Sequence, residues 1–125
     1  MILKNNLYTI NDTEVADTEA RYDIELNADS FIYQAHFPGE PITPGVCIVQ
    51  IAKEMLEETV GKKLQIVKVK NVKFLSVLTP RQSTAVTFQL CKIAQDPSER
   101  SVKTQAVVTS AGEAKAKLSF TCVEQ

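Results

Sequence analysis

The sequence predicts an α+β fold in which an antiparallel sheet packs on one helix. Three observations predict it: apolar and polar residues alternate along several segments, a proline-marked loop interrupts them early, and one helical segment follows that loop. The length of 125 residues suits one domain, residues 1–125, which buries about two-thirds of its unfolded surface.

The first strand is read from Ala20, Tyr22, Ile24 and Leu26, which alternate with Arg21, Asp23 and Glu25 in the period of a half-buried strand. The stretch HFPGEPITPG, from His36 to Gly45, carries Pro38, Pro41 and Pro44, each of which removes a ladder donor. It is therefore a loop of fixed shape. Thr43 is the expected N-cap and Pro44 the first residue of the only helical segment, which Gly61 closes.

At 100° per residue, Ile48, Val49, Ile51, Ala52, Met55 and Leu56 share one arc of that helix, opposite Gln50, Lys53, Glu54, Glu57 and Glu58. Val46 and Cys47 flank Gln50, so the first two turns read as apolar all round. The helix is expected to be buried at its beginning and to emerge later, with Gln50 enclosed, a second subunit being one covering surface, and Glu54 facing solvent.

After Gly61 the period is two. Leu64, Ile66, Val72 and Phe74 form one strand, with a register change near Lys70 and Asn71; Val86, Phe88 and Leu90 form the next. Asp96-Pro97-Ser98 turns the chain into Val102, Thr104, Ala106 and Val108, and Ala111-Gly112 turns it into Ala114, Ala116, Leu118, Phe120 and Cys122. About four strands thus follow the helix.

A net charge of -1 supplies no basic excess for nucleic acid, and no segment has the length and apolarity of a membrane span or the make-up of a secretory leader. The expected location is cytoplasmic. Cys47, Cys91 and Cys122 lie far apart and read as buried thiols, and with His36 as the single histidine no metal or other cofactor is expected.

The segment His36-Phe37-Pro38-Gly39-Glu40-Pro41-Ile42-Thr43-Pro44-Gly45-Val46 resembles the signature of the hot-dog 3-hydroxyacyl-acyl carrier protein dehydratases of fatty-acid synthesis. It agrees at eight of eleven positions, opens the helix where that family's motif does, and is followed by a Val72-Lys73-Phe74 and Pro80 similar to the family's next strand. The resemblance implies a hot-dog fold, an antiparallel sheet wrapped around one long central helix, and a dimer with two sites across its interface. It implies His36 as the catalytic base and Gly45 and Val46 as substrate-binding positions, the Gly45 N–H holding the thioester carbonyl. Physically the assignment fits: imidazole titrates near neutrality, and helix N-termini favour developing negative charge.

Fourteen residues after the histidine the family carries Glu or Asp, and this chain carries Gln50, the second catalytic position. An amide hydrogen-bonds a hydroxyl or water but does not donate a proton and regain it. Val77 and Arg81-Gln82 also depart from the family's usual residues. Three readings stay open: a dehydratase in which His36 carries the proton transfer; a non-catalytic or half-catalytic subunit completed by a paralogous hot-dog chain; and an acyl thioesterase in which Gln50 holds the attacking water. The implied substrate is an acyl carrier protein or coenzyme A thioester, and the implied assembly is a homodimer or a heterodimer with a paralogous chain. Lys62, Lys63, Lys68, Lys70, Lys73 and Arg81 offer one candidate face for an acidic carrier.

Overall fold

The structure, a computed structural model, describes residues 2–125. Its elements run β1 (Tyr8–Val15), β2 (Ala20–Leu26), α1 (Phe31–Ala35), α2 (Gly45–Val60), β3 (Leu64–Phe74), β4 (Ala85–Asp96), β5 (Ser101–Ser110) and β6 (Glu113–Glu124). All six strands join one antiparallel sheet in the order β1-β2-β4-β5-β6-β3.

The alternation seen in the sequence sets the inner face. Val86, Phe88 and Leu90 of β4, Val102, Ala106 and Val108 of β5, and Ala116, Leu118, Phe120 and Cys122 of β6 are buried, as are Ile48, Ile51, Ala52, Met55 and Leu56 of α2. The sheet packs around this helix stripe. Each large side chain so buried contributes roughly 1.5–3 kcal/mol.

The turns follow their chemistry. Asp96 Oδ1 accepts from the Ser98 N–H at 3.1 Å and the Ser98 hydroxyl at 2.7 Å. Ala111 and Gly112 both have positive φ, 52° and 78°, which suits a tight two-residue hairpin turn. Gly61 ends α2 at φ 71°, its N–H bonded to Glu57 O. The register change expected in β3 occurs twice, between Ile66 and Lys68 and between Val69 and Asn71.

The structure differs from the sequence reading in several places. An additional strand, β1, precedes β2, and α2 is not the only helix, because the five-residue α1 forms before the loop. The N-cap of α2 is Pro44, whose side chain makes no capping bond; Thr43 faces elsewhere, as described below. Burial along α2 also runs the other way on the Gln50 side. Val46 is 69% exposed, Gln50 is half-buried, and Glu54, expected in solvent, is only 6% exposed. The cause is the chain's own beginning, whose residues 3–8 cover the later turns of that stripe. Cys47 and Cys122 are buried thiols as expected, whereas Cys91 is half-buried.

Candidate active site

Helix α1 delivers the histidine. Ser30 caps it by accepting from the Ile32 N–H at 3.4 Å, and His36 ends it with its own N–H donated to Ile32 O at 2.9 Å. The His36 carbonyl accepts from Ile42 N–H at 2.8 Å, and Phe37 and Glu40 exchange two backbone bonds at 3.0 and 2.9 Å. The proline-rich loop is thus tied at both ends and through its middle. His36 itself is exposed, its ring edge-on to Phe37 with centroids 5.5 Å apart.

Thr43 ties this loop to two other elements. Its hydroxyl shares a 2.8 Å hydrogen bond with the Tyr33 hydroxyl of α1, and its N–H donates to Leu78 O at 2.8 Å. Burial pushes the Tyr33 phenol up to about 12, against the lowering effect of the Thr43 bond, so it stays a protonated partner across the neutral range.

Gly45 opens α2 with its backbone against an aromatic ring. A Cβ on Gly45 would lie 2.6 Å from Phe74 Cζ and 2.8 Å from Cε2, closer than real Cβ contacts allow. Glycine permits this close approach, which a larger residue reaches only by displacing the Phe74 ring. Beside the contact lies an open, mainly apolar groove of about 440 Å³, lined by Gly45, Ile48, Phe74, Leu75, Val77 and Leu78 among others. Cys47 and Ile48 N–H donate to the Pro44 carbonyl at 2.9 and 3.2 Å, which leaves the Gly45 and Val46 N–H groups at the helix start to meet a carbonyl seated there, with a favourable dipole beside an apolar wall.

The wall is anchored from behind by Lys115. This side chain is 1% exposed, and its ammonium donates to Glu113 Oε1 at 2.5 Å, Gln82 Oε1 at 2.7 Å and Ser76 Oγ at 3.5 Å. Leu75 and Ser76 N–H also donate to the Lys115 carbonyl, at 2.9 and 3.3 Å. One residue thus holds both ends of segment 75–82.

Gln50 lies one and a half turns into α2, and its Nε2 donates to Glu54 Oε2 at 2.8 Å. Glu54 Oε2 also accepts from Leu3 N–H at 2.8 Å, while Oε1 accepts from Lys4 N–H at 2.9 Å and the Tyr8 hydroxyl at 2.8 Å. Four donors converge on one buried carboxylate. Burial first, and then the Glu54 bond, pushes the Tyr8 phenol far above its usual range. This network makes Glu54 an anchor for the chain's beginning and for the Gln50 amide.

Of the four residues singled out in the sequence, Gly45 and Val46 sit together at the start of α2, His36 ends the loop's other side, and Gln50 belongs to the Glu54 network. Sequence reasoning missed Tyr33, Lys115 and the contact of Phe74, and it placed Glu54 in solvent, where the structure buries it. Only the apolar residue at 74 closing its strand gave a signal, and nothing in its type announced the contact with Gly45. The Cys47 thiol is pushed up by burial, which agrees with a packing role. Among the described residues, no group of three or more His, Cys, Asp or Glu side chains is placed to hold a metal ion, and no helix is long and apolar enough to cross a membrane.

A family model described as ApeI dehydratase, ApeI-like, matches residues 12–113. The 3-hydroxyacyl-acyl carrier protein dehydratase FabZ of Clostridium acetobutylicum is 30% identical over 69 residues, 50% of this chain and 49% of that protein, so the match spans about half of that relative. Among solved structures, the dehydratase heterocomplex ApeI:P from Xenorhabdus doucetiae is similar with a TM-score of 0.71 at 16% identity, covering 92% of this chain and 96% of the other. Cj0977, a sigma28-regulated virulence protein from Campylobacter jejuni, has a TM-score of 0.71 at 13% identity, covering 98% and 80%. At such identities these structures speak to the fold, which is hot-dog, and not to chemistry.

Proposed function

Since the chain belongs to the ApeI-like dehydratase family, we propose that it eliminates water from 3-hydroxyacyl thioesters to give 2-enoyl thioesters in acyl-chain synthesis, on acyl carrier protein or coenzyme A. The observation that supports this reading is the tied loop between α1 and α2, in which the His36 N–H donates to Ile32 O and its carbonyl accepts from Ile42 N–H.

In the proposed mechanism the Gly45 N–H, with Val46 beside it, receives the thioester carbonyl, and the acyl chain lies along the groove walled by Phe74 and Leu78. The His36 imidazole removes a proton from the carbon next to the carbonyl, and enolate-like charge collects on the oxygen held by the helix terminus. The electron pair then forms the carbon–carbon double bond as the β-hydroxyl leaves. Because Gln50 exchanges no proton, the imidazolium of His36 returns its proton to the departing hydroxyl, giving water. Gln50 hydrogen-bonds that hydroxyl and orients it. A general acid is worth about 10²–10⁴ in rate, so this single-base reaction is slow.

A second subunit belongs to this reading. The exposed apolar residues Phe37 on the loop, Val46 on α2 and Val67 and Val69 on edge strand β3 support one. The replacement of the acid by Gln50, together with the ApeI:P neighbour being a heterocomplex, favours a second form of the reading. In it a paralogous hot-dog chain supplies the acid to His36.

The test is turnover of a short 3-hydroxyacyl thioester by the purified chain, followed by mass spectrometry. Loss of water that vanishes in His36→Ala and rises in Gln50→Glu supports the single-base dehydratase. Inactivity alone, with activity appearing on addition of a paralogous chain, selects the heteromeric form. Release of free thiol without unsaturation refutes both.

A further inference from the structure

The outer face of the sheet, turned away from α2, carries a basic groove that the reaction does not use. Lys68 and Lys70 of β3, Lys92 of β4 and Lys103 of β5 line a recess of about 350 Å³ together with Ser119 and Thr121 of β6. Lysines on an edge strand ward off unwanted strand pairing, which accounts for Lys68 and Lys70. It does not account for Lys92 and Lys103, because β4 and β5 are interior strands.

Lys92 is also held in an uncommon backbone conformation. Its φ is 51°, in the left-handed region that non-glycine residues seldom occupy, and it sits in the β-bulge where the β4 register shifts between Cys91 and Ala94. Bulges re-aim side chains, and this one adds a third strand's lysine to the groove. Among the described residues, none of the four ammonium groups has a carboxylate partner and no carboxylate lines the recess. One acidic cluster of the sheet, Asp12, Glu14 and Asp23 around Arg21, lies on β1 and β2, away from the recess. A chain with net charge -1 thus concentrates four uncompensated cations in one small recess.

We propose that this groove binds an oligophosphate anion. Clustered phosphates carry several negative charges within the span of a few atoms, which relieves the mutual repulsion of four ammonium groups as one phosphate cannot. The hydroxyls of Ser119 and Thr121 supply short neutral donors to the same oxygens. The recess has the volume of a small molecule, so an oligophosphate fits it better than the broad face of an acidic protein does. Both a free inorganic triphosphate and the triphosphate of a nucleotide present this chemistry.

Calorimetric titration of the full chain with inorganic triphosphate, ATP and orthophosphate tests the proposal. The expected result is one site per chain, with triphosphate bound at least about tenfold more tightly than orthophosphate and more weakly as salt rises. A Lys92→Gln/Lys103→Gln variant with unchanged circular dichroism should lose about tenfold or more in affinity, and Lys92→Arg/Lys103→Arg should retain it. Equal affinity for ATP and triphosphate identifies the phosphates alone as the ligand; tighter ATP binding adds the nucleoside. Triphosphate binding no tighter than that of orthophosphate, or unchanged in the glutamine variant, overturns the site. So does capture of an acidic carrier protein by the groove without any triphosphate binding. Failure of the dehydratase reading is seen separately, in turnover by His36→Ala.

Discussion

The ring of Phe74 lies so close to Gly45 that a Cβ on the glycine would come within 2.6 Å of the ring's Cζ. The contact joins the end of β3 to the first turn of α2, at the N–H groups proposed to hold the thioester carbonyl. Because Phe74 is 53% exposed, its ring has room to swing outward. Gly45→Ala is therefore expected to displace the ring and open the groove wall, not to unfold the protein. Its signature is a raised KM for acyl thioesters with a thermal midpoint lowered by only a few degrees, from a cost of about 1–2 kcal/mol. Adding Phe74→Ala should bring the midpoint back toward that of Phe74→Ala alone. Equal and additive losses in the double variant would show that the two residues are uncoupled.

The sheet and the central helix were legible because their burial is one-sided. Val86, Phe88 and Leu90 alternate cleanly, and Thr43, Pro44 and Gly61 mark the helix ends to within two residues. Strand β1 was not legible, because after Tyr8 it is mostly exposed at the sheet's edge and shows no alternation. Helix α1 is too short, at five residues, to show a period. Glu54 misled for another reason: helical angle put it among solvent residues, but its burial comes from residues some fifty positions earlier folding onto it. The loop from His36 to Gly45 was legible by its prolines, whereas the contacts of Phe74 and Lys115 depend on register and bulges that no local pattern encodes.

Glu54 supplies the second prediction. Glu54→Gln keeps the size but turns an amide N–H toward donors that now need an acceptor, and loss of a buried partner costs about 1–3 kcal/mol. The thermal midpoint should fall, and hydrogen exchange should accelerate first at the Leu3 and Lys4 amides, whose bonds of 2.8 and 2.9 Å end on this carboxylate. Unchanged protection at both amides would refute the anchoring role.

Lys115 ties the groove wall to an acidic partner, Glu113, at 2.5 Å. Its bond holds the Glu113 carboxyl below the usual carboxylate range, so the sign follows directly: the contribution is present above that range and lost as pH falls through the lowered value. Lys115→Met keeps the stem but drops the ammonium that bridges Gln82 and Ser76. It should lower the thermal midpoint at neutral pH, remove part of the acid sensitivity below the usual carboxylate range, and raise KM by loosening the groove wall. A variant with the parent's acid profile would show that Glu113 is not tuned by this lysine.

Alkaline pH should test the tyrosines. Burial is the first cause raising Tyr8, Tyr22 and Tyr33, the last to about 12, against an ordinary phenol value of 10.0. Below pH 10 the phenols are protonated in both folded and unfolded chains, so their contribution to stability is fully present. Above it the unfolded chain releases protons first, and stability falls as pH rises toward the folded values. Phenolate absorbance should therefore appear together with the loss of circular dichroism, in one cooperative step. Tyr33→Phe should lower stability at neutral pH by removing the bond to Thr43 and make its fall above pH 10 less steep, and its effect on turnover measures how far that bond holds the histidine loop. If phenolate instead accumulates around pH 10 with the dichroism intact, the buried hydroxyls at Glu54 and Thr43 are reached by solvent in the folded chain, and both links lose the protection assigned to them.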